Sequence, residues 1–307
     1  MNFIFLITLF SFAFPRVISG ATFTLINRCH YTVWPGILGT SKLDSTGFEL
    51  LPGGLRSINA QPGWSGRFWA RTGCNFDPIT GQGACTTADC GSNQVECNGA
   101  GAKPPATLAE FTVGSNGAQD FYDVSLVDGY NLPMMVQANG GTGGGCGSTG
   151  CITDLNRMCP NELRVGDGLA CRSACEAFGK PEYCCSGEFG SPETCRPSPY
   201  SEIFKSACPR SYSYAYDDAT STFTCTGADY LITFCPTSSP SQKSTNSSTP
   251  VTNNGAPVIV DGSGPGSTSS PNWDNGGSWM PNFVMEGGSL KMIPNFITFV
   301  VLFLYYL

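Results

Sequence analysis

The chain has 307 residues, 16 Lys and Arg against 23 Asp and Glu for a formal net charge of −7, one histidine, and 16 cysteines that all fall between Cys29 and Cys235. A dense, even cysteine set belongs to an oxidising compartment, and one histidine leaves little for a mixed Cys/His zinc site, so neither a metal nor a cofactor is expected. Between Ala21 and Pro236 thirteen Lys and Arg face twenty Asp and Glu; such a surface repels nucleic-acid phosphate, and the expected partner is neutral or cationic.

Phe3 to Phe14 is an almost unbroken apolar run followed by Pro15, Arg16 and the small residues Ser19, Gly20 and Ala21. This predicts a signal peptide over 1–20 and a mature start at Ala21. The folded unit then spans 21–236, long enough for one sizeable core plus satellite lobes. Its local patterns are those of half-buried strands. Ala21 to Ile26 alternates; Gly66 to Arg71 sets Phe68 and Ala70 against Arg67, Trp69 and Arg71; Leu108 to Val113 sets Ala109, Phe111 and Val113 against Leu108, Glu110 and Thr112. The glycine-rich tract 140–147 predicts the crossing into a separate cysteine-dense lobe, Cys151 to Cys208. Within that lobe a helix is expected over Gly168–Phe178, stopped by Gly179 and Pro181. Cys184 and Cys185 are expected to pair elsewhere, and Tyr230 to Phe234 predicts a closing strand.

After Cys235 the composition changes. Residues 237–287 are rich in Ser, Thr, Pro, Gly and Asn, too poor in apolar side chains to offset ordering entropy, and predict a solvated stalk glycosylated at Asn246, the one acceptable sequon. Phe296 to Leu307 is apolar apart from Thr298 but, as a helix, rises only about 18 Å against a bilayer core of about 30 Å. Small residues, a spacer and a short hydrophobic tail make a glycosylphosphatidylinositol signal. The lipid is expected on Gly287, with Gly276 and Gly288 as rivals, and 288–307 as the removed propeptide; an unprocessed short anchor is the alternative. This places the protein on the extracellular face of the plasma membrane, facing the apoplast.

Ala21-Thr22-Phe23-Thr24-Leu25-Ile26-Asn27-Arg28-Cys29, then Tyr31-Thr32-Val33-Trp34-Pro35, resembles the opening of the thaumatin-like, pathogenesis-related group five family of plants. Gly81 to Cys90, Pro104 to Phe111, Asp120 to Asn131, Tyr183-Cys184-Cys185 and Phe234-Cys235-Pro236 extend the likeness, with Asn93 standing where that family usually has glycine. The resemblance implies a mainly β fold: a flattened sandwich of about eleven strands, a disulfide-rich helical lobe and a small loop-and-hairpin lobe. It also implies eight disulfides, Cys29–Cys235, Cys74–Cys85, Cys90–Cys97, Cys146–Cys225, Cys151–Cys208, Cys159–Cys171, Cys175–Cys184 and Cys185–Cys195.

The same resemblance implies an acidic cleft built from Arg67, Glu110, Asp123, Asp128 and Asp217, with Asp218 as the rival of its neighbour. Strand parity supports Arg67 and Glu110, each opposite its strand's apolar residues. Asp123 and Asp128 are an odd spacing apart, so the Asp128-Gly129 turn must redirect the second. Clustered carboxyls accept hydrogen bonds from sugar hydroxyls, and crowding raises some of their pKa values. The resemblance implies defence-related, antifungal binding of β-1,3-glucan-type polysaccharide, and a monomer is expected. The first alternative is an endo-β-1,3-glucanase with Glu110 as acid and Asp123 as base or nucleophile; the second is membrane permeabilisation or surface recognition. Trp69, Tyr122, Tyr130 and Tyr216 are aromatic candidates for stacking on sugar, although core filling is the commoner fate.

Overall fold

The computed structural model describes residues 20–236. The signal segment before Gly20, the stalk with Asn246, and the tail with Gly276, Gly287 and Gly288 lie outside the described residues. Nine strands form one sheet: β1 (Ala21–Asn27), β2 (Trp34–Gly39), β3 (Leu55–Ala60), β4 (Ser65–Arg71), β5 (Leu108–Thr112), β6 (Asp120–Ser125), β7 (Met134–Thr142), β8 (Thr149–Cys151) and β9 (Phe223–Phe234).

The order is β8-β7-β9-β6-β5-β4-β2, with β1 on β9 and β3 on β1. Strand β9 pairs with β6 through Phe223–Cys225 and with β7 from Thr226 onward, while β1 runs parallel to it from Phe23↔Tyr230. One long strand thus belongs to both layers, and the expected sandwich is a single sheet curled over its core. Nine strands take part rather than about eleven. Beside β2 the pairing shrinks to the isolated bridges Val33↔Leu50 and Gly36↔Gly47, because Pro35 has no N–H to continue a ladder there.

Alternation decides what goes inside. Phe23 and Leu25 of β1, Phe68 and Ala70 of β4, Ala109 and Phe111 of β5 and Tyr122 and Val124 of β6 all enter one apolar cluster. Phe23 sits at its centre, with ring centroids 4.6 to 5.7 Å from Phe111, Phe68, Trp64 and Tyr230. Each fully buried side chain of this size contributes about 1.5–3 kcal/mol relative to exposure.

The eight disulfides join the partners the resemblance implies, and among the described residues no cysteine is free. Asn93 takes the left-handed backbone, φ 62°, in the place where the family usually has glycine. The glycine tract is a correction: residues 140–142 still belong to β7, Tyr122 Oη donates to the Gly147 carbonyl at 2.6 Å, and the chain turns back as β8 before entering the lobe at Cys151.

The helix expected over Gly168–Phe178 is also shorter. Only α1 (Ala174–Phe178) forms, with Ser173 capping it and Gly179 ending it in left-handed backbone. Upstream, Cys171 is tied to Cys159 and exchanges two backbone hydrogen bonds with Tyr130, so it stays extended and Leu169 is left exposed. The lobe continues with α2 (Pro181–Cys184) and α3 (Pro199–Ala207), and α4 (Asp218–Ser221) follows it.

Candidate functional site

Three adjacent strands present one row on the face away from the core. Arg67 of β4 stands opposite Glu110 of β5, which stands opposite Asp123 of β6. Directly opposed residues of an antiparallel pair have Cβ atoms about 4.5–5.5 Å apart, so the side chains of the row interact.

The rest of that face is covered. Trp69 and Leu108 pack under Ala88, Cys90, Cys97, Ala102 and Ala106 of the loop-and-hairpin lobe. Trp69 Nε1 donates to the Ala88 carbonyl at 3.1 Å, and a Cβ on Gly36 would lie 2.3 Å from the indole, so only glycine admits the ring. Arg71 is fully buried, donating to the carbonyls of Trp34, Pro35, Gln94 and Val95, and burial pulls its guanidinium down to about 10. Of the aromatic residues expected to stack on sugar, Trp69, Tyr122 and Tyr130 are all core and Tyr216 is half-buried.

Asp123 is 1% exposed because the segment around Tyr212 lies along β6: Tyr212 N donates to Val124 O at 2.9 Å and Leu126 N to Tyr212 O at 2.8 Å. Its Oδ1 is buried and hydrogen-bonded to no protein group. Burial, then the charges of Glu110 and Asp218, hold its carboxyl well above the usual carboxylate range. Glu110 is half-buried, and burial raises it too, although Arg67 pulls it back while Asp128 adds to the rise. Burial and mutual crowding thus raise both carboxyls of the pair, and the Arg67 guanidinium opposes the rise on the Glu110 side.

Asp128 lies beyond the end of β6 in a turn closed by Gly129 N donating to Leu126 O at 3.0 Å. Gly129 has φ 85°, and a Cβ there would meet the Cys171 carbonyl at 2.7 Å and Pro105 Cβ at 2.8 Å, which explains the redirection that the odd spacing demands. Burial raises Asp128, and Arg67 opposes the rise. Among the described residues Arg67 forms no ion pair within 4.0 Å, so it faces both carboxyls without being spent on either.

Asp217 is tied to the cystine-rich lobe. Lys205 Nζ stands 2.8 Å from its Oδ2, which also accepts from the Ser213 N–H and hydroxyl at 3.0 Å each. Asp218 is the aspartate whose charge reaches Asp123, and its Oδ1 accepts from Tyr212 Oη at 2.8 Å.

A further carboxyl was not foreseen. Glu176 of α1 is pushed up to about 7 by burial and by Asp128, with Arg172 Nε 3.9 Å away pulling the other way. The cystine lobe therefore supplies an acidic group facing the Asp128 turn. The Ser173-x-x-Glu176 capping spacing marks that position in the sequence, since Ser173 Oγ accepts from the Glu176 N–H at 3.2 Å.

A family model described as the Thaumatin family matches residues 27–236. Thaumatin-like protein 1 of Arabidopsis thaliana is 72% identical over 225 residues, covering 71% of this chain and 86% of that protein. Pathogenesis-related protein 5 of the same plant is 58% identical, covering 70% and 90%. A glucan endo-1,3-beta-glucosidase of Prunus avium is 54% identical, covering 70% and 91%.

Proposed function

The chain belongs to the thaumatin family, and from that premise we propose a defence-related, antifungal cell-surface protein whose acidic face binds a neutral β-1,3-glucan-type polysaccharide. The observation that carries this reading is the cross-strand row Arg67–Glu110–Asp123 with Asp128 at its end. Clustered carboxyls accept hydrogen bonds from sugar hydroxyls, and any that holds its proton also donates, which suits hydroxyl-rich neutral rings. Arg67 adds a planar fork of donors beside them. The names of the A. thaliana and P. avium relatives support the defence and glucan parts of the reading.

Hydrolysis is the second reading, favoured by the P. avium relative's name and by two carboxyls on facing residues. It requires both groups to reach the glycosidic bond. Asp123 is sealed under the Tyr212 segment, so binding fits better than turnover. Cosedimentation with insoluble β-1,3-glucan, scored together with released reducing ends, separates the two. The proposal expects wild type to sediment with the glucan, Glu110→Ala to stay in solution, and reducing ends to match a protein-free blank. Release by wild type that Glu110→Gln abolishes establishes the enzyme, and equal sedimentation of wild type and Glu110→Ala ends the binding reading.

The attachment belongs to the same proposal: a glycolipid on Gly287, a stalk glycosylated at Asn246, a monomer on the apoplast-facing side of the plasma membrane. The terminal sequence pattern supports it. Phosphatidylinositol-specific phospholipase C should release the protein from intact cells; retention on treated cells contradicts it.

A further inference from the structure

A recess opens in the cystine-rich lobe, lined by Tyr183, Tyr200, Tyr214, Arg196, Ser173 and Ser213 among others. It borders the acidic face at two points. Val127, one residue before Asp128, forms part of its wall, and Ser213 binds Asp217 while Tyr214 lies within the fields of Asp217 and Asp218.

Its walls are pre-set by covalent bonds. Cys175–Cys184 joins α1 to α2 and Cys185–Cys195 joins α2 to the strand of chain before α3, so Tyr183 and Arg196 each stand next to a cystine. Tyr183 is further fixed by Phe178 and Tyr200, with centroids 5.7 and 6.0 Å away. Tyr200 spends its hydroxyl on Glu162 at 3.0 Å. Among the described residues the hydroxyls of Tyr183 and Tyr214 bond to no protein group, and Arg196 enters no ion pair. Half-buried phenols with free hydroxyls and an uncommitted guanidinium form a site for a flat, hydroxyl-bearing ring. The carboxylates of Glu182, Asp217 and Asp218 are offset by Arg196 in the lining, Lys180 Nζ 5.8 Å over the Tyr183 ring and Lys205 paired with Asp217, and a lining so nearly balanced in charge suits an uncharged ring.

We infer that this recess is a second saccharide subsite, which takes a neutral sugar unit of a chain whose other units lie on the Arg67–Glu110 row. The inference rests on the glucan reading and adds to it a chain-length preference, set by the cystine lobe rather than by the sheet. Tyr183 and Tyr214 are its specificity-determining residues.

The test is calorimetric titration with laminaritriose and laminarihexaose of wild type, the ring-preserving double variant Tyr183→Phe/Tyr214→Phe, Tyr183→Ala and Glu110→Gln, with melting temperatures confirming folding. Wild type should bind the hexaose about tenfold or more tighter than the triose, the worth of one well-stacked ring with its hydrogen bonds. The double Phe variant should lose part of that advantage and Tyr183→Ala nearly all of it, the triose affinity staying unchanged. Glu110→Gln should weaken both. If the tyrosine variants keep the full hexaose advantage, or wild type shows none, the subsite is refuted while the glucan reading stands. If wild type binds neither oligosaccharide, the glucan reading falls and takes the subsite with it.

Discussion

Across the curled sheet, packing is continuous: an aromatic cluster centred on Phe23 fills the space between its halves, and β9 is paired along its length, on both sides from Tyr230 to Phe234. Between Cys151 and Cys208 packing is thinner. The apolar cluster there is small, α1 and α2 span five and four residues, and four disulfides bind the segment together. Helices this short are not stable on their own, so covalent closure does in the lobe what burial does in the sheet. The row of ionisable groups lies where the two meet, with Arg67, Glu110 and Asp123 on strands and Glu176 on a helix held by sulfur.

The sharpest way to break this comparison is to remove one bridge from each region. Cys151→Ala/Cys208→Ala should strip amide-exchange protection from the lobe while the sheet keeps its own, and cost about 2–5 kcal/mol. Cys146→Ala/Cys225→Ala, in the sheet, should cost less, because β9 remains paired around Cys225. Loop entropy alone ranks them the other way, since the sheet bridge spans 79 residues and the lobe bridge 57. A larger loss from the sheet bridge would therefore undo the contrast.

Phe23→Ala sharpens it from the other side. Truncating the central ring should lower the unfolding free energy by about 3–5 kcal/mol in denaturant titration, with glucan affinity per folded molecule unchanged. A loss below about 1 kcal/mol, the ordinary size of a single-site effect, would mean that the cluster does not carry the sheet.

The smallest effect concerns pH. Glu110, Asp123, Asp128 and Glu176 all titrate above their ordinary range when folded. The folded state then holds protons that the unfolded chain has released, so these groups favour folding most below about pH 4 and lose that contribution as pH rises through their folded values, near 7 for Glu176. Glu96 has the opposite sign: burial alone would raise it, but hydrogen bonds from Thr46 and Ser45 hold it low, and its contribution disappears on acidification. In Glu176→Gln the fall in melting temperature between pH 5 and pH 8 should be shallower than in wild type. An unchanged slope would show that burial on α1 does not hold the Glu176 carboxyl above its ordinary range.

How much of this was legible followed the same division. Alternation in β1, β4 and β5 was readable because one face of each is buried, and it put Arg67 and Glu110 together on the outer face. It could not show that Trp69 and Arg71, on that same outer face, are sealed by the loop-and-hairpin lobe, because a covering lobe leaves no mark on strand period. The Gly168–Phe178 helix was overextended for a similar reason, since Cys171 answers to Cys159 and Tyr130 rather than to helical spacing. Asp217 and Asp218 are indistinguishable as neighbours in a string; in the fold Lys205, twelve positions earlier, pairs with the first of them. The longest helix among the described residues, α3, carries its signal in Ser198-Pro199, a cap followed by proline in the first turn.

The most direct test of the central claim is the pair Glu110→Ala and Arg67→Ala, measured for laminarihexaose affinity by calorimetry beside wild type, with thermal melting of all three. Both variants should melt close to wild type and bind at least about tenfold more weakly, the loss of one charge-assisted contact. Wild-type affinity in both, with folding intact, would contradict the account, for the sugar would then be held away from the row.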